Sequence, residues 1–227
     1  MTEETVPRET RRPRRAPAPG ERKLDAERSR RLLLDAAMEE FAAKGYAGAR
    51  VQDIADRAGV NKQLINYYFG GKQGLYLELG RRWQRTEAEI NDPAVGLDEV
   101  MARYLRYALE DPRGLRLSAW RGLTEDPPAD RPPVEREDLS ELERRQAEGE
   151  LAADLDPAAV MLVMMASVAA PVVLPQMVHR VYGLAPDSPE FQERYADQLR
   201  RIVRLLAGCR HTGRPEPGEP PAPGGTP

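Results

Sequence analysis

The segment from Val51 to Lys72 constrains this chain more than any other. Val51, Ile54 and Ala55 recur at i, i+3 and i+4, which makes one face of a short helix apolar. Ala55 is small where a second helix must cross closely. Gly59 can adopt the positive φ that a tight turn needs. Val60 plugs the corner, and Asn61 is a good N-cap for the second helix. On that helix Ile65, Tyr68 and Phe69 point inward, which leaves Lys62, Gln63, Asn66 and Tyr67 facing out. Two short helices joined by a glycine turn, with polar side chains on the outer face of the second, is the pattern of a DNA-reading helix-turn-helix.

The outward chemistry suits that reading. Asn66 and Gln63 can form bidentate bonds to adenine, and Lys62 can reach guanine or phosphate. Tyr67 and Leu64 offer apolar contact to thymine methyl groups. Lys72, at the start of a further helix, suits a phosphate. Arg50 and Gln52 open the first of the two helices and can touch backbone or base, although Arg50 also reads as a plain surface arginine. Tyr68 is counted with this set as part of the Tyr-Phe pair, although its spacing turns it inward. An ordinary helical hairpin is the competing reading, because Ala-Gly-Val between helices occurs in many folds and an aromatic pair is usually core.

The ordered set resembles the DNA-binding domain of the tetracycline-repressor (TetR) family. The matching positions are Gly45-Tyr46, Val51, Ile54-Ala55, Ala58-Gly59-Val60, Asn61, Tyr68-Phe69, Lys72 and Leu75. The resemblance is specific over residues 26–76 and looser afterwards. It implies an all-α fold: a three-helix N-terminal domain with the helix-turn-helix, then a helical domain that binds ligand and dimerises through its last two helices. Two departures stand out. The family usually carries tyrosine where Asn66 stands, so the base read there should differ. It often caps the helix with threonine where Ala49-Arg50 stand.

Charge is distributed as this reading requires. The 227 residues carry a net charge of −3, which alone looks wrong for a DNA binder. Residues 1–80 hold 15 Lys and Arg against 12 Asp and Glu, whereas residues 97–208 hold 14 against 20. Only the N-terminal part is expected to meet DNA. The single cysteine, Cys209, excludes an intrachain disulfide and agrees with a reducing, cytoplasmic setting. No signal peptide is legible at the charged, Pro-rich start.

Expected boundaries are a basic leader over 1–24, the DNA-binding domain over 25–72, a ligand-binding and dimerisation domain over 73–210, and a Pro/Gly-rich tail over 211–227. The leader, with Arg11-Arg-Pro-Arg-Arg15, reads either as a solvated disordered segment or as an arm laid along DNA. An amphipathic helix is predicted over Asp25–Lys44, ended by Gly45. A fourth helix runs from Lys72 to the Asp92-Pro93 stop. Helical spacing continues through Leu97–Ala108 and Leu115–Leu123. A charged, solvated helix is expected over Glu135–Leu151. Ala158–Leu174 is apolar on every face, with Ser167 its one polar side chain. Pro171 and Pro175 interrupt it, so burial between neighbouring helices and a partner subunit is preferred to a membrane span. A last helix, opened by Ser188-Pro189, presents Leu199, Val203 and Leu206 as a candidate dimer face.

A largely apolar pocket is sought among Tyr104, Tyr107, Leu117, Trp120, Met161, Met164 and Met165, although methionines at such spacing are more often core. No cofactor is expected. His179, His211 and Cys209 make no metal spacing, and no phosphate loop or nucleophile elbow appears, so an enzyme is not the expected reading. The expected function is a homodimeric regulator, most simply a repressor, released from a palindromic double-stranded DNA operator by a small molecule. A helical adaptor that binds only proteins and a small-molecule-binding enzyme are the alternatives.

Overall fold

The computed structural model describes residues 19–124 and 137–206, and among them every regular element is a helix. The elements are α1 (Pro19–Gly48), α2 (Val51–Ala58), α3 (Gln63–Phe69), α4 (Lys72–Ile90), α5 (Leu97–Glu110), α6 (Arg113–Thr124), α7 (Ser140–Ala147), α8 (Pro157–Val173), α9 (Pro175–Tyr182) and α10 (Pro189–Leu206). The leader up to residue 18 and the tail from residue 207 lie outside the described residues.

Helix ends follow local chemistry. Within α1 the helical geometry breaks at Gly45, whose φ of 69° and ψ of 172° suit glycine alone. The described part of α1 begins at Pro19, ahead of the expected Asp25. Asp156 caps α8, its carboxylate accepting the Ala158 N–H at 2.9 Å, with Pro157 at the first helical position. Ser188 Oγ accepts the Phe191 N–H at 3.3 Å and so caps α10. The apolar run carries Pro171 inside α8, and the chain then turns by 89° into α9. No single helix among the described residues is long and apolar enough to cross a membrane.

Two apolar cores divide the chain. The first gathers Leu33, Ala37 and Phe41 of α1, Ile54 and Ala55 of α2, Ile65 of α3, and Leu75 and Leu79 of α4, and it reaches across to Leu117 of α6. The second joins Leu97, Met101 and Leu105 of α5 to Val160, Met164 and Val168 of α8 and to Leu199 and Val203 of α10. The α5 helix is therefore the hub of the C-terminal half. Tyr195 ties α10 to α8, its hydroxyl donating to the Ser167 carbonyl at 2.8 Å.

The segment predicted as a solvated charged helix is different. Among the described residues of this segment, helical geometry holds over Ser140–Ala147, and Gly149 ends the turn with φ of 84°. Arg145 on this helix is fully buried. Its guanidinium donates to Glu141, Glu150 and the Val95 and Asp92 carbonyls. Glu150 in turn accepts the Leu97 N–H at 2.8 Å, so this cluster caps α5 and pins the α4–α5 connection. A buried guanidinium requires such full satisfaction.

Candidate nucleic-acid interface

The reading unit is held from below by its apolar residues and from the side by charge. Gly59 takes the left-handed conformation (φ 66°, ψ 30°) and donates to the Asp56 carbonyl at 3.1 Å, while Val60 donates to Ala55 at 3.1 Å. These bonds end α2 and turn the chain. Asn61 Oδ1 then accepts the Gln63 N–H at 2.9 Å and starts α3. Ile65 is fully buried and anchors α3 on the first core.

A charge clamp fixes α2 against α1. Glu40 is buried, and its carboxylate receives Lys44 at 2.6 Å and two bonds from Arg57, at 3.0 and 2.8 Å. Lys44 also reaches Asp53 at 2.9 Å. The Lys44 bond holds the Glu40 carboxyl below the ordinary carboxylate range, against the opposing effect of burial. The same lysine lowers Asp53, and its own ammonium is held above the usual lysine value chiefly by Glu40. Spacing arguments along one helix did not reveal this clamp, because Glu40 and Arg57 lie on different elements.

With α3 so placed, Lys62, Gln63 and Asn66 are exposed and Tyr67 projects with 80% of its surface accessible. Tyr67 stands edge-on to Tyr68 at 5.0 Å. Tyr68 and Leu64 pack partly against the first core, which leaves them less surface to offer than the four outward residues. Arg50 is exposed at the extended N-cap of α2 and makes no side-chain cap bond. Gln52 is exposed, but its amide donates to Asp56 at 2.7 Å. Lys72 is more constrained than the sequence implies. Its ammonium sits 4.6 Å from the centre of the Tyr46 ring and contacts the Ala47 carbonyl at 3.4 Å, and burial lowers its pKa. It braces α4 against the end of α1.

The seven pocket candidates do not converge. Leu117 is buried in the N-terminal core. Tyr104 and Tyr107 flank Trp83 of α4, at 6.4 and 5.5 Å between ring centres. Met161 and Met164 belong to the C-terminal core, whereas Met165, one residue on, is exposed on the opposite side of α8. Trp120 lines an open crevice of about 350 Å³ with Ala42, Leu123, Val172 and Pro175. One helical periodicity cannot tell which of two cores a face will meet.

The candidate dimer stripe is drawn into the subunit's own core. Leu199 and Val203 are each 3% exposed and pack inside the subunit with α5 and α8, joined by the half-buried Leu206. The outward apolar side chains are instead Leu162, Val163 and Met165 on α8 and Ile202 and Leu205 on α10. The stripe with the strongest periodicity was the one claimed by the subunit's own core.

These features define a helix-turn-helix domain carried on an all-helical C-terminal domain. The chain belongs to the tetR family of bacterial regulatory proteins: that family's model matches residues 33–79, and a tetracyclin repressor-like C-terminal domain matches residues 96–204. It is 36% identical over 102 residues to the HTH-type transcriptional repressor SCO4008 of Streptomyces coelicolor, covering 44% of this chain and 52% of that one. Over 75 residues it is 41% identical to the HTH-type transcriptional activator FasR of Mycolicibacterium smegmatis, covering 32% and 34%. The match thus spans about half of the first relative and a third of the second. Among solved structures, the Streptomyces coelicolor protein SCO4942, described as a candidate transcriptional regulator, superposes with a TM-score of 0.61 at 25% identity, covering 77% of this chain and 97% of that one.

Proposed function

We propose that this protein is a ligand-responsive transcriptional regulator that binds a palindromic operator as a homodimer. One observation carries the reading: Lys62, Gln63, Asn66 and Tyr67 share the exposed face of α3, while Ile65 on its other face is fully buried. Hydrogen-bonding and apolar groups on that face match what base edges present in a major groove. The N-terminal unit, expected over 25–72, is the reader, and the remainder to 210 is the sensor.

The outward apolar side chains of α8 and α10 supply the dimer face in this proposal. Both helices pack on α5, and the opposite sides carry Leu162, Val163, Ile202 and Leu205 in water. Covering them with a second copy removes that apolar surface from solvent. Two-fold symmetry then presents two α3 helices to successive major grooves.

Repression is the simpler outcome, since a dimer seated on a promoter excludes other proteins by occupancy. A small molecule that prefers the conformation unable to span two half-sites would release it. The test is a footprint of the full chain on DNA upstream of its own gene, with and without extracts of small molecules. A protected two-fold site that one fraction releases is expected. Absence of any protected site at low salt would return the chain to the protein-adaptor reading.

A further inference from the structure

The seam between α4 and α5 holds a group of side chains of which only Tyr104 packs against a core. Trp83 and Glu87 are one turn apart on α4, and Tyr104 and Tyr107 are one turn apart on the facing side of α5. The rings of Tyr104 and Tyr107 lie 6.4 and 5.5 Å from that of Trp83, tilted by 45° and 48°. Trp83 and Tyr107 belong to neither core, and Trp83 remains 39% exposed. Such a ring on an open helix face is not there to fill an interior.

Glu87 is the second part of the group. It is half-buried, and its carboxylate lies beside the Tyr104 hydroxyl. Among the described residues no Lys or Arg lies within ion-pair distance of it. Nearby carboxylates are treated differently: Glu78 on α4 is paired with Arg81, Glu99 on α5 with Arg200, and Asp92 in the α4–α5 connection with Arg103. Arg106 points to Glu99 rather than to Glu87. A half-buried carboxylate beside Tyr104, with no Lys or Arg paired to it among the described residues, presents a negative potential next to the aromatic group. Burial, with Glu137 adding like charge, raises the Glu87 carboxyl above its ordinary value and pushes the Tyr104 hydroxyl up to about 12.

We propose that Trp83, Tyr104, Tyr107 and Glu87 form a recognition site for an organic cation, an ammonium or related group carried on an apolar body. The aromatic faces attract the cation through their quadrupoles, and Glu87 supplies the countercharge it lacks. This rests on reading the C-terminal domain as the sensor and names the class of molecule sensed. The site joins α4, which leaves the DNA reader, to α5, the hub of the sensor core. An occupant therefore bears on both.

A pair of water-soluble isosteres tests it on the full chain. 3-Hydroxyphenyltrimethylammonium carries the charge, and 3-tert-butylphenol has the same shape without it. Calorimetry should show the cation binding at least about tenfold more tightly than the neutral phenol. Glu87→Gln keeps an acceptor for Tyr104 and should reduce that preference to a few-fold, and Trp83→Leu should weaken the cation further. Equal or tighter binding of the neutral phenol by the unaltered protein overturns the site, whatever the variants do. Release of operator DNA is measured separately by fluorescence anisotropy. Cation binding without release keeps the site and removes the sensor reading; release by neutral apolar compounds with no cation binding does the reverse.

Discussion

The Trp120 indole N–H donates to the Ala42 carbonyl at 3.1 Å, and this bond joins α6 to α1 across the boundary between the two cores. Gly45, at the positive-φ break that ends α1's regular turns, lies directly against the same indole. Arg113 at the start of α6 adds ion pairs to Asp35 and Glu39, each at 3.0 Å. The C-terminal half thus grips α1 at two points on α6, Arg113 and Trp120.

Trp120→Phe keeps most of the packing and deletes the bond, leaving the Ala42 carbonyl without this partner. Stability should fall by about 0.5–1.5 kcal/mol in urea unfolding. An unchanged midpoint would show that the contact is not maintained in solution.

Acid should loosen the reader through Glu40. Its folded-state pKa is lowered, first by the Lys44 bond and then by Arg57, so its stabilisation is complete above the unfolded value of 4.5. That contribution is lost as pH falls through the folded value, so the window lies below about pH 4.5. Glu40→Gln should flatten this part of the profile, and Glu40→Ala should cost about 2 kcal/mol at neutral pH. Thermal melts of both variants from pH 7 to pH 3 make the measurement. A Glu40→Gln profile parallel to the parent's would assign the acid response elsewhere.

Much of the reader was legible because its logic is local. Ile54, Ala55, Gly59 and Ile65 follow from spacing and turn chemistry within a few residues, and the structure buries or bends each accordingly. What escaped depends on distant partners. Arg145 reads as one of many surface arginines until Asp92 and Val95 are brought to it across the fold. The stripe of α10 is real, but periodicity does not say whether α5 or a second subunit covers it. Trp83 and Glu87 form a group only once α5 lies beside α4. The helix over Pro175–Tyr182 went unread because two prolines hid it, although one of them opens it.

The two apolar faces of the sensor predict different failures. Leu199→Asp places a charge in the subunit core and should unfold the C-terminal half, since an unpaired buried charge costs several kcal/mol. Leu162→Asp or Ile202→Asp places it in water and should leave a folded monomer. Light scattering and circular dichroism distinguish the cases. A folded dimer with Leu162→Asp and Ile202→Asp combined would move the interface off α8 and α10.

At the DNA, Asn66→Ala should relax preference at one base pair per half-site, by about 1–3 kcal/mol for a lost bidentate contact. Arg50→Ala should weaken all sequences alike if the exposed guanidinium serves a phosphate. Binding to a panel of single-base operator variants reads both. Uniform loss with Asn66→Ala would remove it from the base-reading set.

Operator binding measured against salt, on a symmetric site and on a single half-site, tests the central claim most directly. A dimer with two α3 helices in the major groove should bind the symmetric site more tightly by at least about tenfold. Its logarithmic affinity should fall linearly with the logarithm of salt concentration, as phosphate counterions are released. Equal affinity for the symmetric site, the half-site and unrelated DNA, or an affinity indifferent to salt, would contradict a two-fold reader built on α3.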